Sequence, residues 1–247
     1  MELKGATAVV TGSTGRLGRA IVHALAGTGC NCVCHYHRNR QEADRLVEQV
    51  RKLGAKALAV CADLAEPHGA QALFRSITDL DTPRALINSA SVFSAAPLTE
   101  VTFADAQRIF DINLTASILT CREFANTLGA KYPKADAPLG AIINLTDVGG
   151  VRPWAGYVVY CASKAGLIGA TKALAKELAP TVCVNAIAPG IITWPQNFGE
   201  SQKKRQLSFI PMARTGQPGE LTEAIIFLLT SDYVTGQVLN VDGGRCI

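Results

Sequence analysis

The stretch ATAVVTGSTGRLG, residues 6–18, joins a short apolar run to a turn that contains three glycines. A run of β-branched and small apolar residues predicts a buried strand, and a helical pattern follows the last glycine. Glycines at such a turn let the backbone approach a pyrophosphate, whose charge the amides and dipole of a helix N-terminus favour. The stretch therefore predicts the first half of a βαβ unit that binds a dinucleotide.

Along the rest of the chain, short apolar runs alternate with longer helical patterns, which is typical of βαβ units and a parallel sheet. Most runs are apolar throughout, as expected of strands covered on both faces. We predict strands over residues 6–11, 31–37, 57–61, 84–88, 141–145, 182–188 and 237–241. We predict helices over residues 16–27, 40–53, 69–78, 103–128, 156–178 and 218–230. The expected fold is α/β: a Rossmann-type, doubly wound, mostly parallel seven-stranded sheet with helices on both faces, formed by residues 1–247 as a single domain.

Composition narrows the classes of function. Of the 247 residues, 48% are hydrophobic and 18% are charged, which is enough apolar material for a substantial core. The net charge of +4 comes without a block of like charges, so we expect no nucleic-acid partner. No signal region or membrane-length apolar run is found, and the eight cysteines form no C-x-x-C pair. We therefore expect no membrane association, no metal site, buried free thiols and a cytoplasmic location.

The glycine-rich turn and the ends of the next strands supply the cofactor candidates. The second strand ends in CHYHRN, residues 34–39, with no Asp or Glu to accept from ribose hydroxyls. Arg38 offers a forked guanidinium for a 2′-phosphate, which predicts NADPH; the alternative is a solvated arginine at a strand end. After the third strand, Asp63 could accept from the adenine amino group and Leu64 could flank its ring. The remaining candidates in these segments are Gly12, Ser13, Thr14, Arg16, Leu17, Tyr36, His37, Asn39, Asn88, Ser89, Ala90 and Ser91.

An acid, a phenol and an amine stand at spacings that suit one proton-transfer site. Tyr160 and Lys164 are four residues apart in a stretch that reads as a helix, so they share a face. The ammonium of Lys164 is expected to lower the pKa of Tyr160 from its ordinary value of about 10. A phenol so shifted could act as a general acid near neutral pH, with Asp147 beside it. Taken alone, the pair could also be a chance feature of an amphipathic helix.

The chain resembles the short-chain dehydrogenase/reductases in motifs that follow the family's order: TGSTGRLG, ADL at 62–64, NSAS at 88–91, Asn113, Tyr160-x-x-x-Lys164, NAIAPG at 185–190 and VDGG at 241–244. Within that superfamily it resembles the pteridine reductases and the related dihydromonapterin reductases. Arg16 replaces the middle glycine of the turn, HYHR at 35–38 matches the strand-end motif, and Asp147 stands where ketone-reducing relatives carry Ser or Thr.

The resemblance implies further roles. Asn113 would anchor a water of the proton relay, and Lys164 would also hold the nicotinamide ribose. Further cofactor contacts are implied at Pro189, Gly190 and Ile192. An ionised Asp147 only accepts hydrogen bonds, so it suits the N–H and amino donors of a pterin better than a ketone oxygen. Thr146 is an alternative replacement for the missing serine, although a neighbouring strand residue points to the opposite face.

The predicted substrate-binding residues are Ser91, Phe93, Asp147, Tyr160 and Trp194. Phe93 is the implied stacking partner of the pteridine, with a core role as the alternative. The loop IITWPQNFGE, residues 191–200, is expected to set which pterin fits, and Pro195 would limit its flexibility. The resulting hypothesis is NADPH-dependent reduction of a dihydropterin such as dihydrobiopterin or dihydromonapterin, or of dihydrofolate, to the tetrahydro form.

Two other functions and the assembly complete the expectations. The alternative function is a short-chain ketone reductase that acts on a 3-oxoacyl thioester or small carbonyl, and a minor alternative is a non-catalytic NADP(H)-binding regulator. Helices 103–128 and 156–178 carry apolar or small residues on more than one face, which predicts a subunit interface or, alternatively, internal burial. The residues concerned are Ile109, Ile112, Ile118, Leu119, Ala162, Ala165, Gly166, Gly169 and Ala170. The resemblance implies a homotetramer in which these two helices form one contact and a region near the last strand forms a second.

Overall fold

The structure, a computed structural model, describes residues 1–132, 137–194 and 198–247. Its strands are β1 (Thr7–Val10), β2 (Asn31–Tyr36), β3 (Ala57–Cys61), β4 (Pro83–Asn88), β5 (Gly140–Leu145), β6 (Val182–Pro189) and β7 (Val238–Val241). They form one sheet in the order β3-β2-β1-β4-β5-β6-β7. All pairings are parallel, so the predicted fold class is confirmed and "mostly parallel" becomes fully parallel.

The helices of the described residues are α1 (Arg16–Gly27), α2 (Arg40–Lys52), α3 (Gly69–Arg75), α4 (Phe103–Phe110), α5 (Ala116–Lys131), α6 (Val148–Val151), α7 (Val158–Glu177), α8 (Glu200–Leu207) and α9 (Pro218–Thr230). A π-helical turn, Asp111–Thr115, joins α4 to α5, so the single helix predicted over 103–128 contains a register change. A short 3-10 turn lies at Leu98–Glu100. Sequence periodicity missed α6 and α8 because α6 is a single turn and α8 has no buried residue.

The sheet separates two apolar layers. On one face, Ile21 of α1, Leu46 of α2 and Ile225 of α9 pack on the strands. On the other face, Leu73 of α3 and Phe124 of α5 do the same. Because the strand order reverses between β1 and β4, the connections that leave these two strands diverge and open a crevice at the carboxyl edge.

A buried polar ladder ties the sheet to the helices beneath that crevice. Asn88 at the end of β4 donates to Asn144 Oδ1 of β5 (2.9 Å), and Asn144 donates to Thr171 Oγ1 of α7 (2.9 Å). Thr120 of α5 donates to Asn88 Oδ1 at 2.7 Å. Buried amides are costly unless they are paired, so these bonds fix the register of β4, β5, α5 and α7 relative to one another.

The cysteines are free thiols, as predicted, but they are not all buried. Cys61 is exposed and Cys246 is half-buried, whereas the other six are buried. Burial raises the pKa of Cys30 and of Cys34 to about 12 each, which makes these thiols inert packing groups. Among the helices of the described residues, none is both long and apolar enough to cross a membrane.

Gly18 should be indispensable to the start of α1. A Cβ at this position would lie 2.3 Å from the Gly12 carbonyl oxygen and 2.8 Å from Ser13 Cα, both backbone atoms that cannot move aside cheaply. We expect Gly18→Ala to lower the free energy of unfolding by about 1–3 kcal/mol, measured by urea denaturation. Gly27→Ala is the matched control, since a Cβ there meets nothing within 4 Å. Equal stability of the two variants would contradict the close packing.

Candidate active site

A cleft of about 1400 Å³ opens at the carboxyl ends of the strands, where β1 and β4 diverge. Residues that follow β1 to β6 all contribute to its walls, so the sheet edge collects groups from distant parts of the chain. Most of the predicted site residues line it: Gly12, Thr14, Arg16, Leu17, His37, Arg38, Asn39, Asp63, Ser89, Ala90, Ser91, Phe93, Asp147, Tyr160, Lys164, Pro189, Gly190, Ile192 and Trp194.

The glycine-rich turn packs closely against the loop after β4. Gly12 has a φ of +63°, and a Cβ there would stand 2.8 Å from Ala90 Cα, so both conformation and space require glycine. Thr11 Oγ1 accepts from the amides of Ser89 (2.9 Å) and Ala90 (3.0 Å), which holds the two loops together. The N-cap of α1 is Gly15, and no side chain of the described residues caps this end. The first amides of α1 thus face a cleft wall suited to an anion.

His35, which the sequence analysis passed over, fastens the turn to the sheet. Its Nδ1 accepts from the Gly12 amide (3.0 Å), so its Nε2 carries the proton and donates to the Ala62 carbonyl (3.0 Å). Burial lowers the pKa of His35, which favours this neutral form. Ser13 completes the link through its hydroxyl, which donates to the His35 carbonyl at 3.0 Å. The sequence pattern that could have identified His35 is HYH at the end of a buried strand. Side chains alternate along a strand, so His35 and His37 lie on the same side of the sheet.

The end of β2 presents a histidine and an arginine to the cleft. His37 Nε2 lies 3.3 Å from Asp63 Oδ2, so the carboxylate that we assigned to an adenine amino group already has a neighbour. Arg38 is exposed at the rim of the cleft. Asn39 caps α2 by accepting from the Glu42 amide at 3.2 Å, which fixes the direction in which the chain leaves the strand.

Asp147 and Tyr160 form a hydrogen-bonded pair at the opposite end of the cleft. The Tyr160 hydroxyl donates to Asp147 Oδ2 at 2.9 Å. Asp147 is also the N-cap of α6, and its Oδ1 accepts from the Gly149 amide at 2.7 Å. Burial raises the pKa of Asp147 against the lowering effects of these bonds and of Lys164. The two side chains are therefore joined by a hydrogen bond at the position where the sequence predicted a catalytic group.

The predicted lowering of the Tyr160 pKa is wrong. Burial raises the pKa of Tyr160 well above its ordinary value, and the charge and hydrogen bond of Asp147 raise it further. Lys164 lies 5.9 Å from the centre of the Tyr160 ring, while Asp147 touches the hydroxyl directly, so the nearer carboxylate prevails. Lys164 is itself buried and donates to the Leu145 carbonyl at 3.0 Å. Burial lowers the pKa of Lys164 to about 8.

The hydroxyls that could replace a catalytic serine are engaged elsewhere. Thr146 lines the cleft but is buried, and its Oγ1 donates to the Ile187 carbonyl at 2.8 Å. Ser91 donates to Asn113 Oδ1 at 3.1 Å. Asp147 is thus the acidic partner that Tyr160 has among the described side chains.

Asn113 organises the loop after β4 and does not line the cleft. Its Oδ1 accepts from the Val92 amide (2.8 Å), and its Nδ2 donates to the Val92 carbonyl (3.0 Å) and to Ser163 Oγ (3.2 Å). It lies in the π-helical turn, which rotates it towards this loop. The proposed water-anchoring role stays a prediction. The other predicted residues outside the lining are Ser13, Tyr36, Leu64 and Asn88, which lie beneath the cleft as packing or hydrogen-bonding groups.

Aromatic rings form one wall beside the acidic pair. Phe93 stacks on Tyr157, with centroids 5.0 Å apart, and meets the Tyr160 ring edge-on at 4.8 Å. Phe93 is 54% exposed, so it is a surface of the cleft and not a core residue. Trp154 meets Tyr157 edge-on at 5.7 Å and extends the wall. The sequence analysis missed Trp154 and Tyr157, although both stand in the PWAGY segment just before Tyr160.

Residues 191–194, after β6, line the cleft. Arg16 donates to the Trp194 carbonyl at 3.2 Å, so its guanidinium bridges the start of α1 to this segment. Trp194 stacks on Phe198 with centroids 6.0 Å apart. Residues 195–197 of the predicted substrate loop, including Pro195, lie outside the described residues. Other lining residues that the sequence analysis missed are Arg108, Ile112, Arg152, Gln206, Phe209 and Arg245.

Comparisons with known proteins agree with this geometry. A family model described as "Enoyl-(Acyl carrier protein) reductase" matches residues 13–245. A 3-oxoacyl-[acyl-carrier-protein] reductase of Synechocystis sp. is 37% identical over 98% of this chain and 97% of that protein. The 3beta-hydroxysteroid dehydrogenase 1 of Eggerthella lenta is 35% identical over 100% of this chain and 95% of that protein.

Among solved structures, a blue fluorescent protein from a metagenomic library in complex with NADPH superposes with a TM-score of 0.89. It is 32% identical, and the match covers 100% of both chains. These relatives do not indicate the pteridine reductase branch specifically. On the family match and the relatives together, the chain belongs to the short-chain dehydrogenase/reductases, a superfamily of oxidoreductases.

Proposed function

We propose that this chain uses NADPH to reduce a C=N bond of a dihydropteridine such as dihydrobiopterin or dihydromonapterin, or of dihydrofolate. The observation that carries the proposal is the 2.9 Å hydrogen bond from Tyr160 to Asp147. A carboxyl at this position can accept from the N–H and amino donors of a pterin and can relay a proton to a ring nitrogen, whereas a ketone oxygen offers it no donor.

The cofactor assignment is supported by both ends of the cleft. The uncapped start of α1 and the close approach at Gly12 suit a pyrophosphate, and Arg38 at the rim suits a 2′-phosphate. Lys164 would hold the nicotinamide ribose from the floor of the cleft. NADPH supplies a hydride when it is bound. The NADPH complex of the blue fluorescent protein is consistent with this choice.

The acid–base groups would supply the proton that C=N reduction needs at nitrogen. The Tyr160 hydroxyl donates to Asp147 Oδ2 at 2.9 Å, and burial raises the pKa of both groups. A carboxyl with a raised pKa stays protonated to higher pH, so Asp147 can hold or relay a proton closer to neutral pH than an exposed aspartate. Phe93 offers a flat, exposed ring on which a bicyclic substrate would lie beside this pair.

The second candidate is ketone reduction, which the relatives favour. The Synechocystis protein is named as a 3-oxoacyl-[acyl-carrier-protein] reductase, and the Eggerthella protein as a hydroxysteroid dehydrogenase. This reading needs a hydroxyl in place of the missing serine. Thr146 lines the cleft but donates to the Ile187 carbonyl, and Ser91 donates to Asn113, so either hydroxyl would have to leave its present partner to serve. The site chemistry therefore supports the pteridine reading more directly.

Exposed apolar surfaces support a homotetramer. One surface lies on α4 and α7, where Phe103 is 85% exposed and the small residues Ala162 and Gly169 are also exposed. The other surrounds α9 and the edge strand β7, where Tyr233 is 99% exposed and Phe227 is exposed as well. Internal burial, the alternative, applies to Gly166, which Leu114 covers within the chain. Two separate apolar surfaces are what a tetramer with two kinds of contact requires.

Replacing Asp147 tests the substrate. We expect Asp147→Ser to lower kcat/KM for dihydropteridines by at least about 100-fold, because a positioned proton-transfer group typically contributes about 10²–10⁴-fold. The same variant should reduce an acetoacetyl thioester faster than the wild type, since a hydroxyl can donate to its ketone. NADPH oxidation measured with both substrates checks this, and Tyr160→Phe is the control that should abolish both activities. Undiminished pteridine turnover by Asp147→Ser would overturn the proposed function.

Replacing Arg38 tests the cofactor. We expect Arg38→Ala to weaken NADPH binding by about 10- to 100-fold, because charge-assisted hydrogen bonds contribute about 1.5–3 kcal/mol. NADH binding should barely change. Arg40→Ala is the matched control, since Arg40 lies two residues later and pairs with Asp44 at 3.5 Å. Fluorescence titration with both cofactors decides the point, and equal weakening of both would make Arg38 a structural residue.

Sedimentation tests the assembly. The wild type should sediment near four times 26.1 kDa. Phe103→Glu and Tyr233→Glu should each yield dimers, because each removes one kind of contact and leaves the other. Leu53→Glu, an exposed apolar position outside both surfaces, should remain tetrameric. An active wild-type monomer at micromolar concentration would contradict the proposal.

A further inference from the structure

A rigid C-terminal turn brings an arginine into the cleft. Gly243 and Gly244 have φ values of +64° and +87°, which other residues rarely adopt. The Asp242 carboxylate accepts from the amides of Gly244 and Cys246, both at 2.9 Å. The turn thus has its own internal support, and it places Arg245 on the lining of the cleft.

Neighbouring segments pack against this turn. A Cβ on Gly243 would lie 2.8 Å from Ile210 Cγ2, and one on Gly244 would lie 3.0 Å from Pro211 Cγ. Arg152, just after α6, donates to the Arg245 carbonyl at 3.2 Å. The backbone that carries Arg245 is therefore fixed from the side of α6 and from the side of α8.

The guanidinium of Arg245 is held on two sides and has one nitrogen to spare. Its Nη2 donates to Gln206 Oε1 at 2.7 Å, and its Cζ lies 5.6 Å from the centre of the Trp154 ring. Its Nη1 is buried and has no hydrogen-bond partner within residues 1–132, 137–194 and 198–247. A buried charged donor without an acceptor is costly, so this arrangement favours a ligand that brings one.

The position of Arg245 relates it to the acidic pair. It lines the same cleft as Asp147 and Tyr160, and Trp154 connects it to the aromatic wall through Tyr157. Burial lowers the pKa of Arg245, and the charge of Asp147 opposes this shift, so the guanidinium keeps its charge. A substrate that lies on the aromatic wall would thus meet the acidic pair at one end and a cation at the other.

We propose that Arg245 is a substrate-binding residue whose Nη1 donates to an oxygen acceptor of the substrate, either an oxo group of the ring or a carboxylate on its substituent. The proposal rests on the proposed function for the identity of the substrate, but its geometry does not depend on it. Guanidinium groups bind such oxygens with charge-assisted hydrogen bonds, and the contact with Trp154 orients the donor before binding.

Kinetics of Arg245→Gln test the inference with dihydrobiopterin, which has a ring oxo group and no carboxylate, and with dihydrofolate, which has both. We expect KM to rise about 10- to 100-fold with a much smaller change in kcat, because the lost bond holds substrate and does not transfer a proton. A rise for both substrates assigns the ring oxo group as the acceptor. A rise for dihydrofolate alone assigns the carboxylate.

Controls separate binding from folding. Arg205→Gln removes an exposed charge one residue before Gln206 and should leave KM unchanged. NADPH affinity and the melting temperature of Arg245→Gln should match the wild type. If Arg245→Gln does not fold, Gln206→Leu removes the anchor of the guanidinium and keeps the charge, so it should raise KM in the same direction by a smaller factor.

The outcomes distinguish the inference from the proposed function. If the wild type reduces pteridines and Arg245→Gln has an unchanged KM for both, the inference is overturned and the proposed function stands. If the wild type reduces only an acetoacetyl thioester, the proposed function fails. That thioester also presents oxygen acceptors, so the inference is then tested by whether Arg245→Gln raises the KM for the thioester. A drop in kcat with an unchanged KM would likewise overturn it.

Discussion

The reversal of strand order between β1 and β4 is the constraint on which the cleft depends. Since all seven strands are parallel, their carboxyl ends meet at one edge, and the reversal opens that edge for a ligand. Thr11 Oγ1, after β1, accepts from the amides of Ser89 and Ala90, after β4, and ties the two halves of the sheet across this point, while the ladder from Asn88 to Asn144 and Thr171 orders the β4 side. His35 adds a second tie by joining Gly12 to Ala62. Side chains from the start and the end of the chain are therefore held in fixed positions around one cleft.

Within that cleft, two opposing electrostatic effects meet at Tyr160. A cation alone would make the phenol a stronger acid, but Asp147 accepts a hydrogen bond from its hydroxyl, and burial penalises the anionic form of both groups. Lys164 is buried as well. Burial penalises its charged ammonium form, so its pKa falls to about 8. The charge balance of the three groups is thus set jointly, so none of them can be assigned an acid–base role from its residue type alone.

Sequence patterns captured the features that follow from local chemistry. Apolar runs and glycine-rich turns predicted every strand and the longer helices within a few residues, because buried parallel strands and tight turns constrain composition strongly. The lining residues near the motifs, such as Arg38 and Asp147, were found for the same reason. The pairing of His37 with Asp63, the direction of the Tyr160 pKa and the approach of Arg245 depend on atoms that come together only after folding. No spacing in the sequence encodes those distances.

Overall similarity and substrate choice are set by different parts of this molecule. The relatives share the fold across nearly the whole chain, yet one is named for a 3-oxoacyl substrate and another for a steroid. A shared fold places few demands on the substrate. In the proposed function, the substrate would meet short segments after β5 and β7, where Asp147 and Arg245 stand on tight turns of their own. Because one carboxyl and one guanidinium face the same cleft, we infer that substrate identity follows from these two side chains more than from the fold.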